Sequence, residues 1–454
     1  MARHTVIIAF LILGIGRLFA QSTTDSLYFY IDDMPDADTY LPAPPDTARL
    51  DFFSDFIQWQ WGKKMRQDTV RGPQANLDSQ YGIERTKVIF GNALGCDIDS
   101  LTMPATYHLM QKAGNTVALS ADKTSHMRKR PFQQLNEHTW GAFDNEEELL
   151  NDSAYLSRHT ALGWATALIL AEMAPQLQDT ILKVGYNYGM SRVIAGAHWQ
   201  SDVDAAMLCA SAAVARLHAS PQFIEDLHAA KQEYDAYTTL NRKSDAGWPN
   251  GRYFLPAFTD TIDKHYYRDV VNYWQAKTER NTPRGDQAIA DADISDPTLI
   301  ASFVIAMSAD TLVDSIPAIT AMVSAAKAAF EETAQELKAS ERFRKRPYVK
   351  MKEQTLIPDE EDTYLEISSY PSTNAQVGWG LALLFAEIAP SHQDEILKRG
   401  YEYGESRIIA GYQFASDVQA GRILASAVVA HLHADPDFMA LLQSAKTEFS
   451  TLSQ

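Results

Sequence analysis

Gly185 to Val203 reads GYNYGMSRVIAGAHWQSDV, and 215 residues further on Gly400 to Val418 reads GYEYGESRIIAGYQFASDV. A second block, GWATALILAEMAP from Gly163, returns at the same offset as GWGLALLFAEIAP from Gly378. Arg128 to Pro131 returns as Arg344 to Pro347, one residue further out, and fainter echoes pair Tyr40-Leu-Pro with Phe254-Leu-Pro and Arg71-Gly with Arg284-Gly. Self-similarity at a fixed long period signals a repeated structural unit. The sequence therefore predicts two tandem repeats, residues 40–235 and 252–454, behind an N-terminal segment at 21–39. A linker at 236–251, which collects Asn, Ser, Asp, Gly and Pro, separates them.

Length agrees, since 454 residues exceed what one hydrophobic core usually sustains. Apolar residues recur at three- and four-residue spacing within each repeat, and β-branched alternation is scarce, so the fold class is all-α. Thr160 to Met173 is apolar nearly all round, the mark of a buried helix. Ser157 stands before it as an N-cap and Pro175 follows its end. Ser191 to Ala219 is rich in Ala and Gly, suited to close packing. Two helical-bundle domains are the expected architecture.

A formal charge of −18 and a pI near 5.1 argue against nucleic acid or an anionic membrane surface as partner, because no broad basic face is available. An anionic ligand must meet a local cluster of cations. Residues 1–20 carry a short basic start at Arg3 and His4, an apolar run from Val6 to Gly16, and Ala20 before a possible cleavage point. This reads as a signal peptide for export to the periplasm or beyond. Arg17 and Leu18 depart from an ideal cleavage site and leave a retained anchor open, although the run falls short of the roughly 20 residues a spanning helix needs. No stable membrane insertion is expected. Cys96 and Cys209 either pair or stay as two buried thiols.

Three blocks of the first repeat carry polar residues suited to phosphate chemistry: Lys123 with Arg130-Pro131, Ser157-Arg158-His159, and Ser191-Arg192 followed by His198 and Asp202. His198 and Asp202 share a helix face, so the carboxylate is expected to accept from one ring nitrogen and leave the other free to attack. Lys123, Arg130 and Arg192 would neutralise the oxygens of a transferring phosphoryl group. Ser157 would cap a helix whose first N–H groups face the anion, and His159 would exchange protons with the leaving alcohol and then with water. Singly, each feature has a structural explanation: a surface cation, a helix cap, a His–Asp pair. Their grouping between Lys123 and Asp202 has none.

The pattern K-x6-RP, S-x-H, SR-x5-H-x3-D resembles the type 2 phosphatidic acid phosphatase superfamily. The flanks HTALGWATALILAEMAP and GYNYGMSRVIAGAHWQSDVDAA are similar to the bacterial class A non-specific acid phosphatases, over about Tyr40–Tyr234 and again Phe254–Phe449. The resemblance implies two helical bundles of the acid phosphatase/haloperoxidase type. It also implies hydrolysis of small phosphomonoesters through a phosphohistidine, without cofactor or metal. His198 is then the nucleophile, Asp202 its orienter and His159 the general acid, while Lys123, Arg130, Ser157 and Arg192 bind phosphate. Inorganic phosphate and vanadate are the expected site ligands. Arg158 stands where the family has glycine, and its backbone N–H keeps the contact to phosphate. The family's habit of pairing implies an intrachain pseudo-dimer.

In the second repeat Ala339 replaces Lys123, with Lys338 one position away, Asn374 replaces His159 and Gln413 replaces His198, whereas Arg346, Ser372, Arg407 and Asp417 persist. Neither amide takes up protons near neutral pH, so this repeat is expected to be inactive. Two other readings stay open: a non-catalytic anion-binding or structural protein, and a vanadium-dependent haloperoxidase.

Overall fold

Ser157 Oγ accepts from Thr160 N at 3.3 Å, and from that cap a helix runs over Arg158–Met173 with every residue from Thr160 onward buried. Ser372 caps Thr373–Ile388 in the same way through Ala375 N, and there Ala375 to Ile388 are all buried. These two helices are apolar all round because they run through the middle of the molecule. The computed structural model describes residues 26–238, 247–257, 264–308, 316–340 and 343–452. The expected signal segment, 1–20, lies outside the described residues, as does 239–246 of the expected linker.

Among the described residues there are helices and no strands. Those of seven residues or more in the first half are α1 (Leu50–Met65), α2 (Arg71–Leu77), α3 (Ile83–Leu94), α4 (Pro104–Asp122), α5 (Arg158–Met173), α6 (Gln178–Ala195), α7 (Gln200–Leu217) and α8 (Pro221–Thr238). The second half follows with α9 (Tyr266–Lys277), α10 (Pro283–Ala290), α11 (Asp296–Ala306), α12 (Pro317–Ser340), α13 (Thr373–Ile388), α14 (Gln393–Ala410), α15 (Ala415–Ala434) and α16 (Pro436–Leu452).

Helix α5 packs chiefly on α6, and α13 on α14. Glycine permits the first crossing: a Cβ at Gly185 would lie 2.4 Å from Ala167 Cβ and 2.8 Å from the Gly163 carbonyl oxygen. Gly196 ends α6 at φ +78°, a left-handed conformation that side chains resist.

The apolar core runs without a break through both halves. Helix α5 packs on α15 and α7 on α13. The halves also exchange aromatic residues: Tyr40 packs against Trp379 and Phe254 against Trp164. At their junction the His218 and His433 rings stack with centroids 4.0 Å apart. Each ring meets a buried glutamate of its own half, Glu172 for His218 and Glu387 for His433, both at 2.9 Å. Lys231 and Lys446 reach the same two carboxylates. Cys96 and Cys209 are both buried free thiols, which settles the choice left open above.

Candidate active site

The end of α6 builds the site. After Gly196 the chain folds back so that the N–H groups of Ala197 and His198 both donate to the Arg192 carbonyl, at 3.1 and 3.3 Å. This tight turn returns His198 to the neighbourhood of Arg192. Helix α7 then starts, its first turn fixed by Asp202 Oδ2, which accepts from Trp199 N at 2.8 Å. Arg130 precedes a short helix at Pro131–Leu135, and His159 opens α5. Arg130, Arg158, His159, Arg192 and His198 line one cavity of about 520 Å³.

His198 is 3% exposed. Its Nδ1 lies 2.8 Å from the Ala154 carbonyl oxygen, which can only accept, so the proton sits on Nδ1 and Nε2 keeps its lone pair. Arg130 Nη1 faces that lone pair at 2.7 Å. The expected partner is displaced: Asp202 Oδ2 stands 3.8 Å from His198 Nδ1, beyond hydrogen-bond range. Asp202 is engaged instead by Arg128 Nη1 at 2.5 Å, and Arg128 Nη2 holds Asp55 at 2.6 Å. A backbone carbonyl therefore orients the imidazole, while the carboxylate pins the start of α7.

Arg192 is fully buried and donates through Nη2 to Asp144 Oδ1 at 2.6 Å. Its Nε and Nη1, together with Arg130 Nε, are buried with no hydrogen-bond partner. Orphaned charged donors are costly, and an oxyanion in the cavity these side chains line would satisfy them. His159 Nε2 lies 3.1 Å from the Ser79 carbonyl, and its ring is flanked by Tyr81 and Tyr188. Burial, reinforced by Arg130 and Arg192, holds His198 well below the ordinary histidine range. Burial, Arg192 and His198 do the same to His159. Burial also lowers Arg130 to about 10.

The remaining expected residues fall elsewhere. Lys123 ends α4 and its Nζ donates to the Met34 and Asp32 carbonyls, at 2.8 and 3.3 Å. It does not line the cavity. Its expected role as a phosphate ligand is corrected: the side chain ties down the N-terminal segment. Ser157 is a buried cap. The Arg158 guanidinium turns outward to Asp122 at 2.9 Å and Asp152 at 2.7 Å, so it leaves the space between the two histidines open. Sequence reasoning missed Asp144, the Ala154 carbonyl and Arg128. Only Arg128 carried a signal, as the first residue of the block that recurs at Arg344.

In the second half Gln413 mimics His198. With its amide nitrogen toward Ser369, it donates to the Ser369 carbonyl at 2.5 Å and accepts from Arg346 Nη1 at 2.8 Å. Arg344 joins Asp417 to Asp269 as Arg128 joins Asp202 to Asp55. Asn374 stands opposite the Asp291 carbonyl. The cations, however, are covered: Arg346 lies over Tyr364 at 4.7 Å, and Arg407 over Tyr412, the counterpart of Ala197, at 4.4 Å. Lys338 is bonded to Thr373. Burial and the nearby Arg346 lower its pKa to about 8.

The PAP2 superfamily pattern matches residues 105–224, which contain Arg130, Arg158, His159, Arg192 and His198. The chain is 39% identical to a non-specific acid phosphatase of Providencia stuartii over 218 residues, 47% of this chain and 87% of that protein. It is 32% identical to a non-specific acid phosphatase of Salmonella typhi over 45% of this chain and 83% of that one. An acid phosphatase of Zymomonas mobilis is 31% identical, over 43% and 75%. With most of each relative's length aligned onto this chain, this protein belongs to the non-specific acid phosphatase family of the PAP2 superfamily.

Proposed function

We propose that the chain is an acid phosphatase that hydrolyses phosphate monoesters in its first half through a phosphohistidine, with no metal. The observation that carries this reading is the cavity in which His198 Nε2, His159 and the unpartnered donors of Arg130 and Arg192 meet. A phosphoryl group entering there takes Arg130 and Arg192 onto its oxygens, which frees Nε2. The Nε2 lone pair forms an N–P bond as the ester P–O bond breaks. His159 Nε2–H stays on the Ser79 carbonyl, so Nδ1 is the atom that passes a proton to the leaving alkoxide. Water then attacks phosphorus, gives its proton to Nδ1, and the N–P bond breaks to release phosphate. Two arginines supply the positive charge that a metal would otherwise provide.

Incubation with phosphorus-labelled substrate and alkaline quenching tests the scheme. Label should reside on His198 and be lost in His198→Ala, with turnover unaffected by a chelator. Turnover retained in His198→Ala rejects it.

The repeated blocks and parallel helix series support a duplicated chain of two repeats, at 40–235 and 252–454, whose second member is a non-catalytic partner in an intrachain pseudo-dimer. Tyr364 and Tyr412 over the remaining arginines support loss of anion binding there. The basic and apolar pattern of residues 1–20 supports export to the periplasm. No described helix is long and apolar enough to cross a membrane. Cell fractionation with and without residues 1–20 tests the localisation.

A further inference from the structure

We propose that the preferred substrates are phosphate monoesters of small cationic alcohols, the amino alcohols and their quaternary ammonium relatives, and that Glu148 is the residue that selects them. This inference rests on the phosphatase reading and adds the identity of the leaving group.

The direction in which the alcohol departs is set by the residue that protonates it. His159 fills that role, and the ring of Tyr81 stands against it edge-on with centroids 4.9 Å apart. The substituent on the ester oxygen therefore runs out along Tyr81. Tyr81 and Phe143 both line the cavity, yet they are 45% and 53% exposed, so their rings form its outer wall and not its floor. Exposed aromatic rings on a cavity wall attract an organic cation through their negative faces.

Charge decides between a cation and a neutral aromatic substituent. The one cation at the mouth, Arg158, is already bound by two carboxylates, Asp122 at 2.9 Å and Asp152 at 2.7 Å. Glu148 lines the same cavity and, among the described residues, its carboxylate has no hydrogen-bond or ion-pair partner. Its neighbour Glu146, by contrast, is tied to His138 and Thr139. Outside the arginine floor the cavity is thus net negative. A second phosphate or a carboxylate on the leaving group would meet Glu148 and Asp152, whereas an ammonium would meet one free carboxylate in a cavity that two exposed rings also line. The floor holds cations and the mouth holds anions, a polarity that matches a zwitterionic ester.

The test compares kcat/KM for choline phosphate, ethanolamine phosphate, glycerol phosphate and pyrophosphate at one pH and low salt, in the full chain and in Glu148→Gln. The ratio of choline phosphate to glycerol phosphate should exceed one by about two- to fivefold, the range expected for an exposed cation site. Pyrophosphate should be the poorest substrate. The choline ratio should fall toward one in Glu148→Gln and, for the parent, at high ionic strength. A ratio of one in the parent, or a ratio unmoved by Glu148→Gln, overturns the proposal while leaving the phosphatase intact. Failure to hydrolyse any ester, 4-nitrophenyl phosphate included, overturns the phosphatase reading and this inference with it.

Discussion

His198 Nε2 rests 2.7 Å from Arg130 Nη1, so the nitrogen assigned to attack phosphorus is held, before substrate arrives, by the cation assigned to receive phosphate. The contact keeps the imidazole neutral, since a ring proton on Nε2 would face a guanidinium. It is released only by an incoming anion that the guanidinium prefers. Nucleophile exposure is thereby tied to occupancy of the oxyanion site.

Replacing Arg130 by Lys keeps a charge but removes the planar fork that spans Nε2 and the phosphate. The expected loss in kcat/KM is on the order of 100- to 1,000-fold, as for removal of one preorganised oxyanion donor. Steady-state assays with 4-nitrophenyl phosphate measure it, and competitive inhibition by inorganic phosphate should weaken in parallel.

The pH profile follows from the two depressed histidines. His198 must be neutral and His159 protonated, and both groups are pushed below the ordinary value of 6.5 by burial and arginine charge. In the free enzyme the productive form therefore declines as pH rises through the coupled titration of the pair, on the acid side of 6.5. A kcat/KM profile should show its alkaline limb there. A limb above neutrality would contradict the assignment.

Asp202→Asn and Asp417→Asn should destabilise the chain to a similar extent, by about 3 kcal/mol each, because each leaves a buried arginine short of a counter-charge. Urea melts report this. Only the first should touch turnover, because the Arg344 network lies in the half that lacks histidines at the site. Loss of kcat in Asp417→Asn would show the halves to be catalytically coupled.

The buried carboxyls at the junction should keep their stabilising contribution down to about pH 4.5. Burial opposes ionisation of Glu387, yet His433 and Lys446 more than offset it and lower the carboxyl to about 2; Glu172 is lowered likewise by Lys231 and His218. A depressed carboxyl stabilises above its unfolded pKa and loses that contribution as pH falls through the folded one, here between about 4.5 and 2. His218 is raised, burial being outweighed by Glu172, so its contribution is full below 6.5 and lost at higher pH. Near-UV circular dichroism should show the junction failing in that acid window, and earlier in Glu387→Gln.

Restoring imidazoles at 374 and 413 in a His198→Ala background should not restore hydrolysis. Tyr412 and Tyr364 still lie over Arg407 and Arg346. A rate above background on an aryl phosphate would show that these rings do not close the site.

Much of this molecule is legible in its sequence. The helix over Arg158–Met173 follows from an apolar run behind Ser157, and the spacing from Lys123 to Asp202 picks out four of the five cavity-lining cations and histidines by chemistry, with Arg158 as the fifth. What could not be read is where long side chains end. Lys123 has the right position and the wrong direction, because the carbonyls of Asp32 and Met34 come from a segment some 90 residues away. The four-residue spacing of His198 and Asp202 promised a hydrogen bond that Arg128 takes over. A backbone acceptor such as Ala154 leaves no mark in a one-letter code, and Asp144 sits in a polar loop like any other.

The unbroken core has a bearing on what truncation of this chain would do. Leu383, Val429 and Ala430 sit beside Leu168 and Ala215 in the layer between α5, α7, α13 and α15, so the second half serves as an inner wall of the first. A deletion at the boundary would strip that wall away and leave the apolar faces of α5 and α7 open to water.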